Sequence, residues 1–237
     1  MNTKESVLRS RVPLWSMQTL TFSTGIADAV GYLGLDKVFT GNMTGNVVIL
    51  GMASGNADEL PILGPAVALA MFMFGAALGG RLLRHANGWW PRALSVLLAA
   101  VSAVLWITVA CLAFLPSGGN HLIIVVIAGS VAMAMGAQAA GARFLAVKDV
   151  TTVVITSTIT GLAADSWLGG RKNQPWRRRL TSILLIGVGA LVGALTMNVG
   201  AWLGMAIAAC ISTGVVVSAH IIATRAPTDK TEAAQAH

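Results

Sequence analysis

The chain has 237 residues, 55% of them hydrophobic and 11% charged, and its mean hydropathy is +0.74. A soluble domain carries about 25% charged residues, so this chain cannot cover an ordinary water-facing surface. Its length allows roughly six to eight helical crossings with short loops and leaves no room for a separate soluble catalytic domain. Lys and Arg outnumber Asp and Glu by 16 to 9. In a chain of this composition that excess marks cytoplasmic loops rather than a nucleic-acid surface.

Apolar segments fall at residues 14–35, 38–54, 62–83, 93–115, 121–142, 150–168, 180–199 and 201–222, between polar tails at 1–13 and 223–237. The first is broken by Gln18, Thr19, Thr21, Ser23 and Thr24 and is long, so it reads as a retained helix, not a cleaved signal. The second opens with the polar run Val38-Phe-Thr-Gly-Asn-Met-Thr-Gly-Asn, and the sixth carries Thr151, Thr152, Thr156, Ser157, Thr158 and Thr160. The last two form one run from Leu180 to Ile222, which Asn198 and Gly200 divide with a turn. Trp15, Trp89, Trp90, Trp167, Trp176 and Trp202 stand at segment ends, where amphipathic rings prefer the headgroup level, while Trp106 lies mid-segment.

Two topologies compete. If every segment crosses, ten Lys/Arg lie inside and six outside. If the second and sixth segments enter the bilayer and return, six segments cross, and fifteen Lys/Arg lie inside with Lys37 alone outside. The positive-inside rule favours the second arrangement, with both termini cytoplasmic. The expected fold is therefore all-α: a polytopic helical membrane protein with six spanning helices and two short broken or re-entrant segments.

The halves, about 14–115 and 121–222, resemble each other in order. Asp28-Ala-Val-Gly31 aligns with Gln138-Ala-Ala-Gly141, Met43-Thr-Gly45 with Ile159-Thr-Gly161, and Gly75 and Gly79 with Gly189 and Gly193, at offsets of 110, 116 and 114. Three crossings per half would make the halves an inverted repeat. In transporters of that design, broken helices at corresponding positions meet near the midplane.

The stretch Gly25-Ile-Ala-Asp28-Ala-Val-Gly31-Tyr-Leu-Gly, followed by Val38-Phe-Thr-Gly-Asn-Met43-Thr44-Gly45-Asn46, resembles the opening of the YoaK-like family of small bacterial inner-membrane proteins. Met135-Gly136-Ala-Gln138 and Thr158-Ile-Thr160-Gly161 echo it in the second half. The resemblance implies a multi-spanning bacterial membrane protein, sometimes described as a small-molecule transporter, and supplies no substrate or mechanism.

Asp28 is the one acidic residue well inside an apolar segment. An ionised carboxylate at bilayer depth costs at least about 2.5 kcal/mol, so it reads either as a proton-coupling or substrate-binding group or as a hydrogen-bonded structural one. The Thr-Gly-Asn triplets at 40–42 and 44–46 are spaced by four, which on a helix would stack Thr40 on Thr44 and Asn42 on Asn46. Asn42, Thr44 and Asn46 would line a polar path opposite Gln138 and Thr160, although threonine hydroxyls commonly bond back to their own helix. Gly41, Gly45, Gly75, Gly79, Gly189 and Gly193 read as close helix packing.

Cys111 and Cys210 form no CxxC pair, and His85, His121, His220 and His237 have no ligand spacing, so neither a metal nor a cofactor is expected. No Ser/His, Cys/His or paired-carboxylate arrangement at depth suggests an enzyme. The basic run Arg171–Arg179 reads as a loop facing anionic headgroups. The leading expectation is a transporter or channel of the bacterial inner membrane with a polar site between the halves, passing a small polar or anionic solute and proton-coupled through Asp28. The alternative is a membrane interaction or assembly protein without transport. Either is compatible with a homo-oligomer, and the lipid bilayer is the partner common to both.

Overall fold

The computed structural model describes residues 3–55, 60–114, 120–145, 155–170 and 175–225, with the side chains of the first helix from Arg11 onward. These residues form eight α-helices: α1 (Thr3–Gly34), α2 (Met43–Ser54), α3 (Leu63–Leu83), α4 (Arg92–Phe114), α5 (His121–Leu145), α6 (Ile155–Ala164), α7 (Trp176–Thr196) and α8 (Ala201–Arg225). Among the described residues there is no β-strand. Helix α1 extends back through most of the stretch expected as a polar tail, because Lys4, Glu5, Arg9 and Arg11 are good helix formers that carry it out of the apolar run. The threonines Thr151 and Thr152 lie outside the described residues.

Helices α3, α4, α5, α7 and α8 are long and apolar enough to cross a membrane. Helix α1 has 32 residues, ample length for a crossing. By contrast α2 has 12 residues and α6 has 10, roughly 18 and 15 Å of helix, short of the ~30 Å hydrocarbon core. The outer faces of α3 and α7 leave Met73, Phe74, Leu78, Leu82, Leu184, Val188, Leu191 and Leu195 exposed. Stripes of that kind are stable against lipid and costly against water.

Small residues set the main crossings. A Cβ on Gly75 would strike the Met133 carbonyl, one on Gly136 the Phe72 carbonyl, and one on Gly79 would lie 2.9 Å from Ala140 Cβ. The α1–α7 crossing repeats the arrangement: Gly189 abuts the Phe22 carbonyl, Gly25 the Ile186 carbonyl, and Gly193 approaches Ile26 and Ala29. Contacting residues rise together in both pairs, so α3 runs parallel to α5 and α1 parallel to α7. Each α1 residue here precedes its α5 counterpart by 111 positions, and each α3 residue precedes its α7 counterpart by 114. The sequence alignment of Asp28 with Gln138 is thus one residue off the packing register, which sets Asp28 against Ala139.

The other partners run in opposite directions. Ser95 meets His220 and Trp106 meets Thr213, so α4 is antiparallel to α8. Ser23 bonds the Ala208 carbonyl while Gly204 meets Val30, so α1 is antiparallel to α8. Gly141 near the end of α5 meets Leu94 near the start of α4. Helices α1, α4 and α7 therefore point one way and α3, α5 and α8 the other. The end where α1 begins carries Arg81, Arg84, Arg92, Arg143, Arg177, Arg178, Arg179 and Arg225; the opposite end carries Asp36, Lys37 and His121.

Buried apolar side chains gather in two clusters. One centres on Ile26, Val30, Leu105, Val131 and Met205. The other, toward the arginine end, centres on Met17, Leu20, Leu94, Leu98 and Val215.

Candidate functional site

After Gly34 the chain reverses through Asp36 and Lys37, two consecutive non-glycine residues with φ of 60° and 53°. Aspartate tolerates this left-handed region better than most residues, and Asp36 is also tied to His121 Nε2 at 3.1 Å. The segment 38–42 then runs back along α1. A Cβ on Gly31 would lie 2.5 Å from the Val38 carbonyl oxygen and 2.8 Å from Thr40 Cγ2, so the close approach requires glycine there. Gly41 reaches the level of Thr24, where a Cβ would lie 2.7 Å from Thr24 Cγ2. Thr24 is about 15 Å before the end of α1, half the thickness of the hydrocarbon core.

Irregular backbone at that depth survives only where protein groups satisfy its polar atoms. Two side chains do so here. Asn46, fully buried on α2, accepts from Phe39 N at 2.9 Å and donates to Phe39 O at 2.6 Å, standing in for a missing strand neighbour. Asp28 Oδ1 accepts from Gly41 N at 2.6 Å and from Thr40 Oγ1 at 3.1 Å, and the Asn42 amide at the start of α2 is directed at the same carboxylate. The positive end of the α2 dipole thus faces Asp28. Asp28 is hydrogen-bonded to the neighbouring polar segment.

Gln138 reaches the cluster from α5, donating from Nε2 to Thr24 Oγ1 at 3.1 Å. Its Oε1 has no partner among the described residues, although the residue is only 1% exposed. The structure therefore brings together Asp28, Gln138 and, through the Phe39 backbone, Asn46. It does not bring the side chains of Asn42, Thr44 and Thr160 into that cluster. Asn42 and Thr44 are exposed, and Asn42 caps α2 through Gly45 N. Thr160 is exposed on α6 and bonds the Thr156 carbonyl. The expected stacking of Thr40 on Thr44 and of Asn42 on Asn46 does not form, because α2 begins only at Met43. Gly41 packs on Thr24 and Asp28, whereas Gly45 packs on Phe39 of its own segment.

Sequence reasoning missed Thr24 as a site residue. The usable signal was its position four before Asp28, on the same face of α1. It also missed the stack of Tyr32 on Phe39, with ring centroids 4.9 Å apart. Tyr32 lies one turn beyond Asp28 on that face and helps line a recess of about 400 Å³ formed with Leu33, Gly34, Asp36, Lys37, Leu60 and Pro61. At the other end of the bundle, Ser95 Oγ lies 3.0 Å from His220 Nδ1 and accepts from Trp90 Nε1, a pairing the sequence did not suggest, which ties α4 to α8. Among the described residues no group of three His, Cys, Asp or Glu could hold a metal.

Long apolar helices with lipid-compatible outer faces define a multi-pass helical membrane protein. The family described as "Protein of unknown function (DUF1275)" matches residues 17–218, and the chain belongs to it. The chain is also 32% identical over 193 residues to the UPF0700 transmembrane protein YoaK of Bacillus subtilis (strain 168), covering 76% of this chain and 81% of that protein. No solved structure matches the chain.

Proposed function

We propose that this protein carries a small polar solute across the bacterial inner membrane, coupled to protons through Asp28. The observation that carries the reading is a buried carboxylate inside a long helix that fastens the tip of a short returning segment. Protonation of Asp28 weakens its bonds to Gly41 and Thr40, because a carboxylate accepts more strongly than the neutral acid. The segment 35–42 is thereby released from α1.

The helix directions support six crossings. If all eight helices crossed in alternation, α4 and α8 would run parallel; they run antiparallel, as expected if the short α6 does not cross. Removing α6 alone would then set α1 against α7. They run parallel, as expected if the short α2 does not cross either. The matched α1–α7 and α3–α5 crossings, with α1 and α5 opposed, support an inverted repeat whose halves meet at the Thr24–Gln138 bond. The arginine-rich end supports cytoplasmic termini. An anionic solute loses its docking group in this arrangement, since the amides at the start of α2 already hold Asp28.

The test is reconstitution into proteoliposomes with an internal pH dye, after a thermal-shift screen of small polar solutes on the purified protein. A stabilising solute should move protons under a pH gradient, and a folded Asp28→Asn variant should lose the pH dependence. Unchanged pH dependence in that variant overturns the coupling.

A further inference from the structure

We propose that α6 is a lid on the cytoplasmic face, clasped shut by the Asp165–Arg179 ion pair; the inference rests on the topology of the transport reading and adds an inner gate to it. Arg179 Nη1 donates to Asp165 Oδ2 at 3.0 Å, and the two side chains are 13% and 24% exposed. Both residues stand where helix dipoles disfavour them. Asp165 closes the last turn of α6, its amide bonded to the Gly161 carbonyl, and a carboxylate there meets the negative end of the dipole. Arg179 lies in the first turn of α7, at the positive end. Each charge is opposed by its own helix and compensated by the other. The pair therefore joins the two helix ends, and either residue alone is out of place.

Little else holds α6. Among the described helices it packs against α7 alone, and of its 10 residues only Thr158 is buried. An element with so little buried surface opens locally far more readily than the bundle unfolds. Gly161 lets the clasp lie close: a Cβ there would stand 2.8 Å from Arg179 Nη1 and 3.0 Å from its Cζ, so the guanidinium crosses α6 where there is no side chain. The first half is built differently at the matching place. At the offsets of 116 and 114 found between the halves in sequence, Asp165 and Arg179 correspond to Ile49 and Pro65, both buried and neither charged. Helix α2 also buries Asn46 and Ala53, and Asp28 fastens the segment that leads into it. Burial thus fixes the outer short helix, whereas a charge pair, for which water and ions compete, holds the inner one.

The test follows labelling of a Thr158→Cys thiol by a membrane-impermeant maleimide, in the full-length protein lacking Cys111 and Cys210. Inverted membrane vesicles expose the cytoplasmic face to the reagent. Thr158 is 4% exposed, so labelling should be slow while the pair is intact. Asp165→Asn and Arg179→Gln should each speed it at least about tenfold, as expected when a charge-assisted hydrogen bond is lost. The double exchange Asp165→Arg with Arg179→Asp should return the rate to that of the intact pair or below it, because both charges then also suit their helix dipoles. Gly161→Ala, which displaces the guanidinium, should speed labelling too and carries the test if a charge variant does not fold. Rates unchanged in the single variants overturn the proposal, as does a double exchange that labels as fast as they do. Labelling governed by the pair, with no solute-driven proton flux in proteoliposomes, overturns the transport reading alone. Flux with labelling indifferent to the pair overturns this inference alone.

Discussion

Helix α3 contains two glycines that meet opposite surroundings, and they isolate the energetics of close packing. A Cβ added at Gly75 would strike the Met133 carbonyl oxygen and lie 2.8 Å from its carbon and 3.0 Å from its Cα, all backbone atoms that cannot swing aside. Gly80, one and a half turns on, has nothing within 4 Å of the same point. Gly75→Ala must therefore push α3 off α5, and a separation of 0.5–1 Å forfeits roughly a quarter to a half of each contact across the crossing. Overpacking of this kind costs about 3 kcal/mol at the upper end of its usual range, against a gain of about 1 kcal/mol from replacing a helical glycine. The net expectation is a loss of about 2 kcal/mol at Gly75 and a gain of about 1 kcal/mol at Gly80. By the scaling for domains of this size, the two variants should melt roughly 6–12 °C apart. Thermal unfolding in detergent, followed by tryptophan fluorescence, measures the difference. Gly189→Ala and Gly187→Ala form the matching pair on α7, where Gly189 abuts the Phe22 carbonyl and Gly187 meets open space. A Gly75→Ala protein that melts at or above Gly80→Ala would refute the view that backbone contact at this crossing holds the halves together.

Three further outcomes are expected. Topology reporters inserted at Gly88 and at Asn120 should report the cytoplasmic and the opposite face respectively, and the reverse assignment, with the N-terminus inside, would restore eight crossings. Asn46→Ala should lower stability by about 2 kcal/mol, since two buried hydrogen bonds to Phe39 are lost at about 1 kcal/mol each; a melt unchanged from wild type would show that the returning segment does not depend on them. Thr40 is fully buried, so in a background lacking Cys111 and Cys210 a Thr40→Cys thiol should resist a membrane-impermeant reagent. Adding Phe39→Ala should speed its labelling from the face opposite the arginines at least about tenfold, as expected if the Tyr32–Phe39 stack contributes more than ~1.4 kcal/mol to closure. Equal rates would mean that the stack does not shield the site.

The solvent of this protein, its apolar segments and the special status of residues 38–46 were legible in the sequence, because each depends on the composition of one contiguous window. Glycines spaced by four announced close helix contact for the same reason. Which helices pack against one another was not legible, because that depends on which faces meet between helices distant in the chain. Nor were the partners of Asp28 legible: the sequence read it either as a proton-coupling or substrate-binding group or as a hydrogen-bonded structural one, and only the return of Thr40 and Gly41 along α1 supplies its bonds. Asn46 read as a wall of a path and folds instead onto Phe39, since a backbone segment without strand neighbours at that depth takes the nearest amide. Thr160 bonds its own helix because α6 is short and leaves it exposed. A hydrogen-bond partner is set by three-dimensional proximity, which periodicity along one helix does not encode.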